Sequence, residues 1–335
     1  MSVFIIAEVG INHNGEIDIA KKMILKAKEC GADCVKFQTF KAEEFVSDPK
    51  QTYTYKSQGK EITESMLEMF KRYQFSEDEW KEIINFCNAN DIVFCSTAQN
   101  YSDLTFLLSV TNLPFIKVGS DDLTNLQMLK KYALHGKKMI ISAGMAYASE
   151  IEDAVEAIRS VGNEDITVLH CVSSYPAAAS EVNLKKIPTI RNCFNVEVGY
   201  SDHTIGSSAA VGAVCFGATV IEKHFTLDNN MAGPDHWFAS NIYDFKKYVD
   251  DIRNIELNIG HPILKPTEKE VEMRLTMQRK IVYKSNFRAG HVLTTDDFEF
   301  KRSVAGFPPK AIDFFNGRKL TINVMKNKPV QLDDL

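Results

Sequence analysis

Two histidines close two of the apolar runs in this chain: His203 ends FNVEVGYSDH (194–203), and His224 sits in ATVIEKHF (218–225). Imidazoles at neighbouring strand ends can reach one divalent ion. Two nitrogens, with room left for water and a substrate oxygen, make an open, catalytic kind of metal site and not a closed structural one. Such an ion acts as a Lewis acid on a carbonyl. Taken singly, either histidine is well explained as a hydrogen-bonded core residue, so the metal reading rests on the pair. Other runs end in lysines and hydroxyls: Lys36, Thr97, Lys117, Ser120, Ser142, Ser173 and Ser201. Of these, Lys36 and Lys117 with Thr97, Ser120, Ser142 and Ser201 suit a phosphate and a carboxylate held close together, the lysines as point charges and the hydroxyls as directional donors. The alternative for each lysine is an outer face, its stem lying on apolar surface. Glu8, Asp122 and Glu222 are candidate acid/base groups. Asp202 and Asp235 are candidates to orient ligands or bind substrate hydroxyls.

These residues share a site only if the runs that carry them are parallel strands. VFIIAEV (3–9), DCVKFQT (33–39), DIVFCST (91–97), PFIKVGS (114–120), KMIISAG (138–144), ITVLHC (166–171), FNVEVGYSDH (194–203) and ATVIEKHF (218–225) alternate with amphipathic segments. Runs apolar on both faces suit strands buried on both sides. Eight such units predict a closed (β/α)8 TIM barrel, an α/β fold whose chemistry lies at the C-terminal strand ends. No GxGxxG follows the first strand, which disfavours a dinucleotide-binding sheet. A polar insertion over 41–75 interrupts the second unit. The reading divides the chain into a barrel over 1–262, a charged linker over 263–280 and a small β-rich module over 281–335, with strands expected in IVYKS, RAGHVLTTDD, FEFKR, GRKLTINV and NKPVQL. That module is too small to carry much core of its own.

A net charge of −5 argues against a nucleic-acid or anionic-membrane partner. Seven scattered cysteines without CxxC spacing read as buried free thiols in a reducing cytosol. No apolar stretch reaches membrane-spanning length, and MSVFIIAEVG reads as a strand, not a signal peptide. A cytoplasmic location follows as an expectation.

Several motifs together are similar to those of the sialic acid synthase family, which condenses phosphoenolpyruvate with an N-acetylated sugar: AEVGINHNG (7–15), VKFQTF (35–40), KVGS (117–120), SAGM (142–145), LHCVSSYP (169–176), VGYSDHT (198–204), IEKHFTLD (221–228) and GPDH (233–236). The resemblance runs nearly end to end, and the tail GHVLTTDDFEFKRSVAGFPP resembles the family's antifreeze-like (SAF) domain. It implies that His203 and His224 hold a divalent ion, usually manganese, with magnesium or cobalt as alternatives. Lys36, Thr97, Lys117, Ser120, Ser142, Ser173 and Ser201 fall where the family holds phosphoenolpyruvate. Glu8, Gln38, Tyr175 and Asp235 fall around metal, water and sugar. Arg302 matches an arginine that one subunit inserts into its partner's site, so the resemblance also implies a domain-swapped homodimer.

The chain departs from the family's commonest pattern at GSDDLTN (119–125), where Asp122 replaces a glutamate, at TAQN (97–100), at Ser173 and at Trp237. These departures leave the acceptor open between N-acetylmannosamine, giving sialic acid, and a 2,4-diacetamido-trideoxy sugar, giving legionaminic acid. Alternatives are a pseudaminic acid synthase, a phosphosugar-acid synthase, a Schiff-base aldolase using Lys117 or Lys223, and a non-catalytic sugar-binding protein.

Overall fold

A computed structural model describes residues 2–335. Eight strands, all parallel, close into a barrel: β1 (Phe4–Gly10), β2 (Cys34–Thr39), β5 (Val93–Ala98), β6 (Phe115–Val118), β7 (Lys138–Ser142), β8 (Ile166–Cys171), β9 (Glu197–Asp202) and β10 (Val220–His224). The seam closes where β1 pairs with β10, Glu8 standing opposite His224. β3 (Thr52–Ser57) and β4 (Lys60–Ser65) form a separate antiparallel hairpin inside the polar insertion. The eight runs predicted from sequence are the eight staves. The helix expected near 182–191 instead spans Lys186–Phe194.

Alternation along each stave sorts its side chains. The inward residues Ile6, Cys34, Cys95, Phe115, Ile140, Leu169 and Val220 fill the lower lumen with apolar volume. Outward residues such as Ile5, Val35, Phe94, Ile141, Val168 and Ile221 pack under the helical ring. Gly199 on β9 makes the lower layer fit: a Cβ there would lie 2.4 Å from Leu169 Cδ2 and 2.5 Å from the Val220 carbonyl oxygen. The inward positions one step further along are polar: Glu8, Lys36, Thr97, Lys117, Ser142, Ser201 and Glu222 are all buried. A polar cup therefore sits on an apolar plug, at the end of the barrel where such folds place chemistry.

The chain divides into two compact units, one ending at Gly260 and one spanning His261–Leu335. In the second, β11 (Arg279–Tyr283) pairs antiparallel with β12 (Phe298–Arg302). The other three runs expected as strands contribute only isolated bridges, such as Phe287 to Val324 and Val292 to Lys319. Turns, bends and a 3-10 segment break each run before a ladder can extend. Ile281, Tyr283, Leu293, Phe298, Phe315, Leu320, Val324 and Val330 nevertheless form a core of their own. The segment before β11 includes a capped helix, Glu268–Met277, with no buried residue. Five of the seven cysteines are buried as expected, while Cys193 and Cys215 are exposed, and all seven are free thiols. Among the described residues no helix is long and apolar enough to cross a membrane.

Candidate active site

At the end of β10, Glu222 and His224 point into the barrel, while Lys223 points out. The Lys223 ammonium lies 3.2 Å from Asp202 and 5.2 Å from the ring centre of Tyr248, on the helix Ile242–Ile259. This packing against the helical layer removes Lys223 as a Schiff-base nucleophile in the cup.

Inside the cup two ammoniums and two carboxylates meet. Lys36 Nζ is 2.7 Å from Glu8 Oε2 and 3.2 Å from Thr97 Oγ1. Lys117 Nζ donates to Ser142 Oγ at 2.8 Å and to the Val118 carbonyl at 2.9 Å. Glu222 Oε2 has no hydrogen-bond partner and lies 3.8 Å from each ammonium, while its Oε1 accepts from Ser201 Oγ at 3.1 Å. Charges buried this deeply are costly unless paired. Here the pairing is loose at Glu222, leaving both lysines able to exchange it for an incoming anion.

The two carboxylates are not equivalent. Burial, reinforced by Glu222, pushes Glu8 up to about 7 although Lys36 opposes the shift. Glu222 is held below the usual carboxylate range: Lys117 and Lys36, then the Ser201 hydroxyl, outweigh its burial. One group is thus poised to carry a proton near neutrality while the other stays ionised, a separation that suits acid/base work. Gln38 reaches towards the same carboxylate, its Nε2 standing 3.5 Å from Glu8 Oε1.

Beside the cup, the Gly144 amide donates to Ser120 Oγ at 3.0 Å. A Cβ on Gly144 would lie 2.4 Å from Ser173 Oγ, 2.7 Å from Ser120 Oγ and 2.7 Å from Cys171 Sγ. These atoms form a small polar cradle that brings Ser120 and Ser173 together. Neither Gly144 nor Cys171 was singled out from sequence. The signal for Cys171 was its inward position on β8, and Gly144 stood in plain view in SAGM.

At the mouth the imidazole rings of His203 and His224 lie 5.6 Å apart, and the Tyr175 ring sits 4.2 Å from the first and 5.7 Å from the second. His203 Nδ1 contacts the Val172 carbonyl at 2.7 Å. A carbonyl only accepts, so Nδ1 carries the proton and Nε2, 3.4 Å from Ser201 Oγ, presents its lone pair, the arrangement usual for metal-binding histidines. His224 Nδ1 is buried without a partner. Loss of hydration holds both imidazoles below the usual histidine range, hence neutral at pH 7. This donor set fits a divalent ion. Among the described residues no three His, Cys, Asp or Glu side chains cluster at metal-holding spacing, so the protein would supply two nitrogens and leave the other positions to water or substrate.

The loop after β10 supplies an aromatic wall. The Phe238 ring lies 5.1 Å from Tyr175, tilted, and 5.2 Å from His224, edge-on, with Trp237 5.6 Å from Phe238. Asp235 belongs to the same loop, and burial alone pushes it up to about 6. The hairpin tip grips this loop: Gly233 N–H donates to Ser57 Oγ at 3.1 Å, Gln58 Nε2 donates to the Asn230 carbonyl at 2.9 Å, and Lys56 Nζ lies 4.7 Å from the Trp237 ring centre. Gln58 and Gly59 at the turn both have positive φ, 51° and 75°, as a tight two-residue hairpin turn requires.

One predicted site residue of the barrel unit lies outside this network of contacts. Asp122 lies in a short 3-10 turn and accepts from Asn125 Nδ2 at 3.3 Å. Its charged neighbour is Asp121, and neither Lys36 nor Lys117 acts on it. The turn after β6 directs the carboxylate towards Asn125 at the start of the next helix, apart from the two lysines. Arg302 ends β12 in the second unit, exposed and without a side-chain partner among the described residues.

The fold and cup define a (β/α)8-barrel protein with its chemistry at the C-terminal rim. The chain belongs to the NeuB family, whose model matches residues 23–263. It is 40% identical to an uncharacterized protein of Methanocaldococcus jannaschii, covering 99% of this chain and 94% of that one. It is 36% identical to N,N'-diacetyllegionaminic acid synthase of Campylobacter jejuni, covering 98% of each. The crystal structure of N-acetylneuraminic acid (sialic acid) synthetase from Leptospira borgpetersenii in complex with citrate matches with a TM-score of 0.72 at 31% identity, covering 83% of this chain and 93% of that chain.

Proposed function

We propose that this chain condenses phosphoenolpyruvate with the open-chain form of an N-acetylated sugar, adding water and releasing phosphate, to give a nonulosonic acid. The observation that carries the reading is the meeting of two buried lysines and their hydroxyl partners, beside two neutral imidazoles, at one barrel rim. Lys36 and Lys117 neutralise the phosphate and carboxylate of the enol. Thr97, Ser142 and Ser201, with Ser120 and Ser173 of the cradle, supply directional donors. C3 of the enol attacks the aldehyde carbon, water adds at C2, and the C2–O bond to phosphate breaks. Glu8, poised near neutrality, and the ionised Glu222 are the groups placed to move protons around C2. A divalent ion held by His203 and His224, manganese foremost, supplies Lewis acidity at the aldehyde oxygen when bound. Tyr175, Gln38 and Asp235 face the acceptor. Fixed charge at the oxygen where charge develops stabilises the transition state more than the ground state.

The aromatic wall of Trp237, Phe238 and Tyr175 suits an acceptor with deoxy and acetamido groups, and the Campylobacter relative's name agrees. We therefore place 2,4-diacetamido-2,4,6-trideoxymannose ahead of N-acetylmannosamine. In a phosphate-release assay across a panel of acceptors, release is expected only with phosphoenolpyruvate, an unphosphorylated N-acetyl sugar and a divalent ion together. Activity that survives chelation, or that is highest with phosphorylated acceptors, contradicts the reading.

The site is completed by Arg302 from a second copy of the chain, in a domain-swapped homodimer. Arg302→Ala is expected to lower kcat about 10²-fold, the scale for removing one charged donor from a transition state. Mixing it with Lys117→Met chains is expected to restore activity, because a mixed dimer contains one site with both residues intact. Mixtures no more active than their components contradict the swap.

A further inference from the structure

The cup leaves one buried ion pair without a chemical task. Asp202 and Lys223 face each other across the β9–β10 ladder, 3.2 Å apart and 1% and 3% exposed, on the side of the strands away from the lumen. Asp202 Oδ1 accepts from the Thr204 amide at 2.8 Å and the Thr204 hydroxyl at 2.7 Å, and its Oδ2 accepts from Tyr248 Oη at 2.9 Å. The Lys223 ammonium donates to the Thr204 carbonyl. Thr204 is thus held at its amide, hydroxyl and carbonyl. The residue it follows is His203, and the residue after Lys223 is His224.

A buried ion pair is a poor source of stability, since well-packed apolar residues of similar volume often serve as well or better. What this pair does that apolar side chains would not is hold both strand ends in one register through directional bonds. We infer that the Asp202–Lys223 pair, with Thr204 and Tyr248, is a positioning device that sets the separation and aim of the two imidazoles. The inference rests on the reading that His203 and His224 hold a divalent ion. Partners one step behind metal ligands typically matter 10- to 100-fold in affinity, and a misplacement near 1 Å can cost about as much in rate.

The test titrates full-length protein with Mn²⁺, reading free ion by electron paramagnetic resonance, and separately measures phosphoenolpyruvate binding by calorimetry. Asp202→Asn/Lys223→Met removes both charges and leaves neither unpaired. It is expected to bind Mn²⁺ about 10- to 100-fold more weakly, with phosphoenolpyruvate affinity in the absence of metal and the circular dichroism spectrum unchanged. Tyr248→Phe, which keeps the ring and loses one bond to Asp202, is expected to weaken Mn²⁺ binding several-fold and keeps the idea testable if the double variant does not fold. Mn²⁺ affinity within about twofold of wild type in the folded variants overturns the inference. A wild-type protein that binds no Mn²⁺ overturns the metal reading beneath it, and that result is separately recognisable.

Discussion

Lys117→Met is expected to lower kcat/KM for phosphoenolpyruvate about 10- to 10²-fold, because the substrate anion loses one of its two buried cations and each such charge-assisted bond is worth about 1.5–3 kcal/mol. The same change is expected to destabilise the protein. Glu222 faces both ammoniums at 3.8 Å, and their field is what holds its carboxyl below the usual range. With Lys117 gone, a buried carboxylate keeps only the more committed partner, Lys36, which already sits 2.7 Å from Glu8. Breaking one side of a buried pair typically costs about 3–5 kcal/mol. Lys117→Met/Glu222→Gln removes charge from both sides, so it is expected to recover most of that stability while staying inactive. This separates the two roles of Lys117.

The same variants give a pH test with a defined sign. A carboxyl whose folded value is depressed contributes stability that is present above its unfolded value and lost as pH falls through the folded one. Wild type is therefore expected to lose stability on acidification through and below the ordinary glutamate range. The double variant, lacking the titrating group, is expected to lose less over the same interval. Thermal unfolding of both proteins across that range checks the sign, and parallel losses would show that Glu222 is not the group responsible.

The barrel was legible because its strands are apolar on both faces and its helices are not, a contrast that alternation and helical period both register. The cup was legible for a narrower reason. On β2 the lysine falls in step with Cys34, and on β10 Glu222 and His224 fall in step with Val220, so inward positions could be inferred once a lumen was assumed. Beyond the last paired residue that inference stops. Asp122 lies two residues past Ser120 in a turn whose direction no periodicity encodes, and the turn carries it to Asn125. Lys223 shows the converse: adjacent to two site residues, it belongs to the helical layer because a one-residue step along a strand reverses the face. The polar insertion gave no hint that its tip would grip the loop of Asp235, since that contact joins segments remote in sequence. In the second unit the hydrophobic residues were visible, but runs broken by turns read as continuous strands.

His224→Ala is expected to lower metal-dependent turnover at least about 10³-fold, since Lewis-acid stabilisation of a carbonyl oxygen is worth several kcal/mol. The more discriminating expectation concerns stability. A histidine kept for the fold would have both ring nitrogens satisfied, and its removal would cost a hydrogen bond. His224 Nδ1 is buried with no partner, while neighbouring rings surround the imidazole at 5.2–5.7 Å. A buried polar atom left unpaired is itself destabilising, by about 1–3 kcal/mol. Without added metal, His224→Phe, which keeps a ring and removes the unpaired nitrogen, is therefore expected to melt higher than wild type, whereas His224→Ala also carries the cost of the lost packing. Saturating Mn²⁺ should reverse the order, because an ion that binds only the folded wild type adds stability in proportion to the logarithm of its concentration over Kd. Scanning calorimetry with and without Mn²⁺ makes the comparison. If metal-free His224→Phe is markedly less stable than wild type, the imidazole serves the fold, and its open nitrogen is not a coordination site held ready at a cost in stability.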